Sequence, residues 1–302
     1  MQKRLASFRL GLLLSTTVYA TSGPPSSSMD DSFGEVNYED QVILYKQGKQ
    51  SVERFHKTRK KDKDQGADFF SNPQLDYHYS HAWVDDNLFQ GDARNSTHTF
   101  SLSGDIGDSM FVGLTLENDL YEADTSLVSF DQQTNTGTLY WGVTANDQWS
   151  FALFYSLSQV DIERGNIFGS TLAQQGSKMA GGAIASFNTD LSDNMNFGLT
   201  ASVASLNKSS VKDIFDDENT QAIVIGDLTI ALNDEWSIAP FASAVTLLDR
   251  DPGAPDGAYG SVGCDSYWTI SESWSAKLGY ERLVADDSRD ENRLNLGASY
   301  RF

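Results

Sequence analysis

From about residue 75 to the end, this chain alternates apolar residues with small or polar ones at a period of two. Its connections alternate as well, between tight and long. Successive side chains on a strand point to opposite faces, so a two-residue period specifies sheet with one apolar face. Twelve runs are predicted, at about 75–84, 96–106, 110–118, 134–144, 149–160, 178–188, 195–206, 220–232, 236–247, 259–270, 274–284 and 293–302. Runs of 9 to 13 residues cross a bilayer at a strand tilt of ~45°. The tight connections are Ile106–Ser109, Asn146–Gln148, Asp190–Asn194, Asn233–Glu235 and Ser271–Ser273. The long, polar ones run from Asn118 to about Gln133, Asp161 to Ser177, Asn207 to Asn219, Asp249 to Gly257 and Ala285 to Asn292. An even set of antiparallel strands that begins and ends on the tight side closes without an edge. The expected fold is all-β: a twelve-stranded antiparallel transmembrane β-barrel, preceded by a short N-terminal extension that can form a helix.

The two faces of the runs separate cleanly. Met110, Val112, Leu114 and Leu116 share one face of a run, as do Trp149, Phe151, Leu153 and Tyr155, and then Leu294, Leu296, Ala298, Tyr300 and Phe302. The opposite face is small, polar or charged, and it supplies candidate pore-lining residues: Asp105, Glu117, Asp227, Lys277, Glu281, Arg293 and Arg301. Five tryptophans, Trp141, Trp149, Trp236, Trp268 and Trp274, fall near the tight turns. Amphipathic rings prefer a lipid–water interface, so these five are read as a periplasmic aromatic girdle.

The first twenty residues have the pattern of a secretory signal: Lys3, Arg4 and Arg9, a Leu-rich stretch, and a Val18-Tyr19-Ala20 cleavage site. Residues 21–72 form an extension that is Ser/Pro/Gly-rich at first and then basic, and residues 73–302 form the barrel. Between Val42 and Lys63 the net charge is +6, whereas from residue 76 onward it is −22. A cationic segment held in or beside an anionic barrel is one reading; a solvated tether is the other. The total of −20 argues against nucleic-acid binding, which needs basic excess to neutralise phosphates. One cysteine excludes a disulfide framework or a zinc site built mainly from Cys. No metal or other cofactor is expected. Export, alternation and scarce cysteine together place the chain in the outer membrane of a Gram-negative bacterium, among outer-membrane lipid and lipopolysaccharide.

The closing run Gly297-Ala-Ser-Tyr-Arg-Phe302 resembles the last strand of bacterial outer-membrane barrels. In those proteins the resemblance implies that the terminal aromatics, here Tyr300 and Phe302, engage the barrel-assembly machinery. Twelve strands with the turn-strand texture of Leu102-Ser-Gly-Asp-Ile-Gly-Asp-Ser-Met-Phe-Val-Gly113 resemble the translocator domain of autotransporters. The similarity covers roughly residues 73–302. It departs from that family ahead of the barrel: the 52 residues from Thr21 to residue 72 leave no room for a passenger domain.

Catalytic patterns are sparse. His81 and His98 fall near the far ends of the first two runs, with Asp85, Asp86 and Ser96 close in sequence, but the arrangement has no Asn-His-Ser pattern of an outer-membrane phospholipase. Gly107-Asp-Ser109 resembles the start of a lipase block, yet Gly-Asp is ordinary turn chemistry. Cys264 shares the apolar face with Val262 and Trp268. Asp213–Glu218 and the group Asp286, Asp287, Asp290 and Glu291 are expected to be solvated loop acids, without calcium-loop spacing. The leading reading is therefore a non-enzymatic pore or translocator-type channel. The second is a structural or surface-interaction barrel with ligand-binding loops, and the third an outer-membrane hydrolase.

Overall fold

The computed structural model describes residues 71–86, 91–107, 109–124, 128–166, 171–209, 220–248, 259–284 and 289–302. The signal-like stretch, the basic segment 42–63 and the acidic run Asp213–Glu218 lie outside the described residues.

Twelve strands form one sheet: β1 Ser71–Asp86, β2 Gly91–Ile106, β3 Met110–Asp124, β4 Val128–Thr144, β5 Trp149–Asn166 and β6 Thr171–Ser192, then β7 Met195–Ser209, β8 Thr220–Ala231, β9 Trp236–Leu247, β10 Tyr259–Thr269, β11 Trp274–Val284 and β12 Arg289–Arg301. Each strand pairs antiparallel with its sequence neighbours, and β1 pairs with β12, so the barrel is closed. Closure satisfies the backbone polar groups that an open sheet would leave at its edges. The twelve expected strands are all present.

The tight end is built by local chemistry. The Asn146 carboxamide oxygen accepts from the N–H groups of Gln148 and Trp149, both at 2.9 Å. Asn233 does the same for Glu235 and Trp236, at 2.9 and 2.8 Å. In the third such turn, Ser271 Oγ accepts from the Trp274 N–H at 3.1 Å. Side chains that cap their own turn backbone make tight reversals. The same cap sets a tryptophan at the first position of β5, β9 and β11. At the β2–β3 turn, Gly107 takes φ +61°, a conformation that glycine adopts without steric cost.

At the other end the strands outrun the sequence expectation. The polar stretches 118–133 and 161–177 are mostly strand: β3 runs to Asp124, β4 starts at Val128, β5 runs to Asn166 and β6 starts at Thr171. Ladder hydrogen bonds need no apolar partner, so pairing continues after the apolar face has ended. Glu291, expected in a solvated loop, is instead a buried residue of β12.

The outer face carries an apolar belt. On β5 it spans Trp149, Phe151, Leu153, Tyr155 and Leu157, all exposed, before Gln159 ends it. One register row then turns polar across five strands: His98, Asn118, Asn135, Gln159 and Ser177. Between β8 and β9 the ladder lapses, between Asp227↔Phe241 and Ile230↔Ile238. Pro240 sits in that lapse and has no N–H to donate.

Inside, the wall is closely fitted. Large inward side chains lie over glycines directly opposite on the next strand: Phe111 over Gly142, Tyr140 over Gly113, Phe154 over Gly182 and Phe241 over Gly263. The first two are reciprocal and lock β3 to β4. A Cβ at Gly142 would stand 2.1 Å from the Phe111 ring, and one at Gly113 would stand 1.9 Å from Tyr140 Oη. Gly113→Val and Gly142→Val should each lower stability in a detergent urea titration by ~1–3 kcal/mol through overpacking. Gly226→Val, where a Cβ meets nothing within 4 Å, should not. Equal midpoints for all three variants would refute the interlock.

Candidate functional site

The inner face of the barrel is the candidate site. Asp105, Glu117, Asp227, Lys277, Glu281 and Arg293 are buried on that face, and Arg301 is partly buried there. The structure brings only some of them together. Glu281 and Arg293 are register partners on β11 and β12, and Lys277 lies four residues from Glu281 on the same face. Asp105, Glu117 and Asp227 are distributed over β2, β3 and β8.

Around β10–β12 the charges form a network. Lys277 Nζ lies 2.9 Å from Asp265 Oδ2, which also accepts from Tyr267 Oη at 3.3 Å. Arg293 lies 3.8 Å from Glu281 and contacts Glu291. Ser261 Oγ donates to Glu281 at 2.5 Å and lies 2.6 Å from Ser243 Oγ. Asp265 and Glu291 were missed in the sequence. Asp265 had a signal, because it shares its face with Ser261 and Tyr267; in the barrel it stands opposite Gly279, where a Cβ would meet its carboxylate.

Over β1–β3 the carboxylates accept from neutral wall groups. Thr99 Oγ1 donates to Glu117 at 3.2 Å, and Asn95 and Thr97 donate to Asp119. Gln74 donates to Asp76 at 2.7 Å, and Asn72 to Asp105 at 2.9 Å. Across β2–β7 the lining is hydroxylic, and directly opposed pairs bond each other: Ser101 with Thr115 at 2.9 Å, Thr136 with Ser158 at 2.8 Å and Ser186 with Thr200 at 2.9 Å. Beside these lies an apolar patch of Phe111, Tyr140, Ala152, Phe154 and Ile184. Carboxylates thus gather mainly along β10–β3, whereas β4–β7 are mainly hydroxylic or apolar with the cations Arg164 and Lys178 among them. Among residues whose side chains are described, this face holds nine carboxylates (Asp76, Asp105, Glu117, Asp119, Asp190, Asp227, Asp265, Glu281 and Glu291) against five cations (Arg164, Lys178, Lys277, Arg293 and Arg301).

On the outside, Trp141, Trp149, Trp236, Trp268 and Trp274 are all exposed near the tight turns. Trp236 and Trp268, register partners, stack at 5.6 Å, and Trp274 packs against Tyr300 at 4.8 Å. Tyr300 in turn meets Phe302 edge-on at 4.9 Å. Cys264 is exposed on the same outer face.

His81 and His98 face outward, whereas His78 is buried on the inner face of β1. His98 Nδ1 bonds Tyr77 Oη at 2.9 Å, and His81 Nδ1 bonds Ser96 Oγ at 2.8 Å. A serine nucleophile needs its histidine oriented by a further polar group. The His81 ring instead packs edge-on against Trp83 at 4.5 Å. Among the described residues, no group of three or more His, Cys, Asp or Glu side chains is arranged to hold a metal ion.

The barrel is similar in fold to autotransporter translocator domains. The translocator domain of NalP from Neisseria meningitidis superposes with a TM-score of 0.61 at 14% identity, over 80% of this chain and 90% of that one. The β-domain of the Bordetella autotransporter BrkA gives 0.60 at 13%, over 77% of this chain and all of that one. The transport unit of AIDA-I from Escherichia coli gives 0.58 at 10%, over 80% and 93%. At these identities the likeness is one of fold. No protein-family model matches the chain, and no curated protein matches its sequence.

Proposed function

We propose that the chain is an outer-membrane pore of a Gram-negative cell, a channel or translocator-type conduit without enzyme activity, whose lumen is narrowed by its own basic segment. The carrying observation is a closed barrel that is apolar outside and lined by charged and hydroxyl groups inside, with carboxylates in excess. A water-filled passage across a hydrocarbon layer requires this inversion of polarity. Asp105, Glu117, Asp227, Lys277, Glu281, Arg293 and Arg301 line the passage in this reading. The five tight-end tryptophans form the periplasmic girdle, and Tyr300 and Phe302 meet the assembly machinery.

Residues 42–63 carry +6 and the inner face is anionic, so the segment is attracted to the lumen or its periplasmic mouth. Partly desolvated pairs are screened by salt less than surface pairs. The deciding measurement is planar-bilayer conductance of the full chain and of a variant lacking residues 21–70. Larger single-channel steps after deletion, partly reproduced by high salt in the full chain, are expected. Unchanged steps, with the barrel still running as a heat-modifiable band on a gel, would reduce the segment to a tether. A surface-interaction role is favoured by no observation of comparable weight.

A further inference from the structure

The outer face holds a second arrangement that the pore does not use. One register row runs Arg282, Asn292, Trp83, Arg94 across β11, β12, β1 and β2. All four face outward, and Arg282, Trp83 and Arg94 are exposed. Among residues whose side chains are described, Arg94 and Arg282 are the cations of the outer face. They flank Trp83, and three strand steps of ~4.8 Å separate them by about 14 Å.

The height of this row is informative. Trp274, Tyr300, Leu75 and Leu102 form the row eight residues nearer the tight end on the same four strands. Eight residues span about 26 Å along a strand, or about 19 Å along the axis at a tilt of ~45°. The apolar band of a membrane barrel is about 25 Å tall. The two arginines therefore stand at the margin of that band farther from the tight turns, where lipid headgroups begin.

The surrounding side chains are held in place. His81 packs edge-on to Trp83 at 4.5 Å and is fixed by Ser96 Oγ at 2.8 Å. Tyr280 Oη donates to Asn292 Oδ1 at 2.6 Å. One strand further the row changes sign, with Glu122, Asp131 and Glu163 directly opposed on β3, β4 and β5. The three opposed acids repel one another, and Arg94, directly opposite Glu122, stands at the boundary between the cationic and anionic sectors of the rim.

We propose that the β11–β2 sector binds the phosphorylated sugar headgroup of an outer-leaflet glycolipid. Arg94 and Arg282 each take a phosphate, and the exposed Trp83 ring stacks on a sugar face between them. Guanidinium groups pair with phosphate oxygens through two parallel N–H···O bonds, which lysine cannot match. An aromatic ring at the interface presents an apolar face beside a polar edge. Asn292 supplies hydrogen-bonding groups between the two cations. This inference rests on the outer-membrane reading above.

The test uses the full chain folded in detergent, with heat-modifiability on a gel confirming the barrel first; a protein that shows no such band contradicts the outer-membrane reading rather than this site. The probes are purified bisphosphorylated lipid A, the same lipid with both phosphates removed, and inorganic phosphate, each titrated with and without EDTA. Bisphosphorylated lipid A should bind at least about tenfold more tightly than the dephosphorylated lipid, and R94Q/R282Q should erase that difference while leaving the folded band unchanged (tenfold being about 1.4 kcal/mol). E122Q, one strand away, should retain the preference. Equal binding of both lipids, or an R94Q/R282Q variant indistinguishable from the parent, overturns the proposal. Binding of inorganic phosphate as tight as that of the lipid would replace the glycolipid with a free anion. Binding that vanishes in EDTA would assign the phosphate to a metal bridge on the carboxylate sector. Either result also overturns the assignment.

Discussion

Leu153→Arg and Leu199→Arg should each destabilise the folded barrel by ~2–4 kcal/mol, the cost of a cation at mid-bilayer on the lipid face. Both residues sit at the centre of the apolar stripe of their strand, and both are exposed, at 57% and 38%. In a water-soluble sheet, exposed leucines at these positions would accept arginine at little cost, so the sign and size of the effect report on the solvent outside the barrel. Ser103→Arg is the paired control. Ser103 points inward beside the carboxylates of Asp76 and Asp105, so an added cation there meets opposite charge and lumen water. Its cost should be well below that of the two leucine variants. Urea titration in lipid vesicles, followed by tryptophan fluorescence, measures all three. Equal destabilisation at inward and outward positions would contradict the facing. Negligible cost at Leu153 and Leu199 would contradict the membrane.

Facing was legible in the sequence because the period of two is a direct consequence of strand geometry. Placing Asp105 or Glu281 inward required only parity along the run. The tight end was equally legible, since Asn146, Asn233 and Ser271 cap turns through bonds to residues two or three positions on. The far end was not. Beyond the belt the outer face is polar and apolar contacts such as Val160 and Ile162 with Phe130 lie inside, so β6 begins at Thr171 without an outward apolar stripe to mark it. The glycine interlocks and the Asp265–Lys277 pair also escaped. They depend on which residue stands opposite which, and register becomes fixed only when the barrel closes. The outer row of Arg282, Trp83 and Arg94 was hidden for the same reason. Arg94 and Arg282 are far apart in sequence and become neighbours in one row only because β12 pairs with β1.

The largest single effect is expected at Arg293. Its side chain is almost fully buried, at 1% exposure, between Glu281 on the next strand and Glu291 two residues back on its own. Arg293→Met retains much of the volume and removes the charge, leaving two buried carboxylates without that cation. Breaking a buried ion pair by deleting one partner costs ~3–5 kcal/mol, chiefly because the remaining charge is left desolvated. The Ser261 hydroxyl continues to donate to Glu281, but a neutral donor offsets only part of a buried charge. Restoring neutrality should restore stability. The triple variant R293M/E281Q/E291Q is expected to recover most of the loss, whereas E281Q alone in the R293M background should recover about half. The denaturation midpoint of each variant in detergent, compared with the parent, decides the matter. A midpoint for R293M within about 0.5 kcal/mol of the parent, the range of ordinary surface substitutions, would mean that lumen water solvates these carboxylates. The network would then belong to an open, hydrated pore wall rather than to a dry interior seam. Measured beside the conductance of the chain lacking residues 21–70, that outcome would separate an aqueous lumen from one filled by protein.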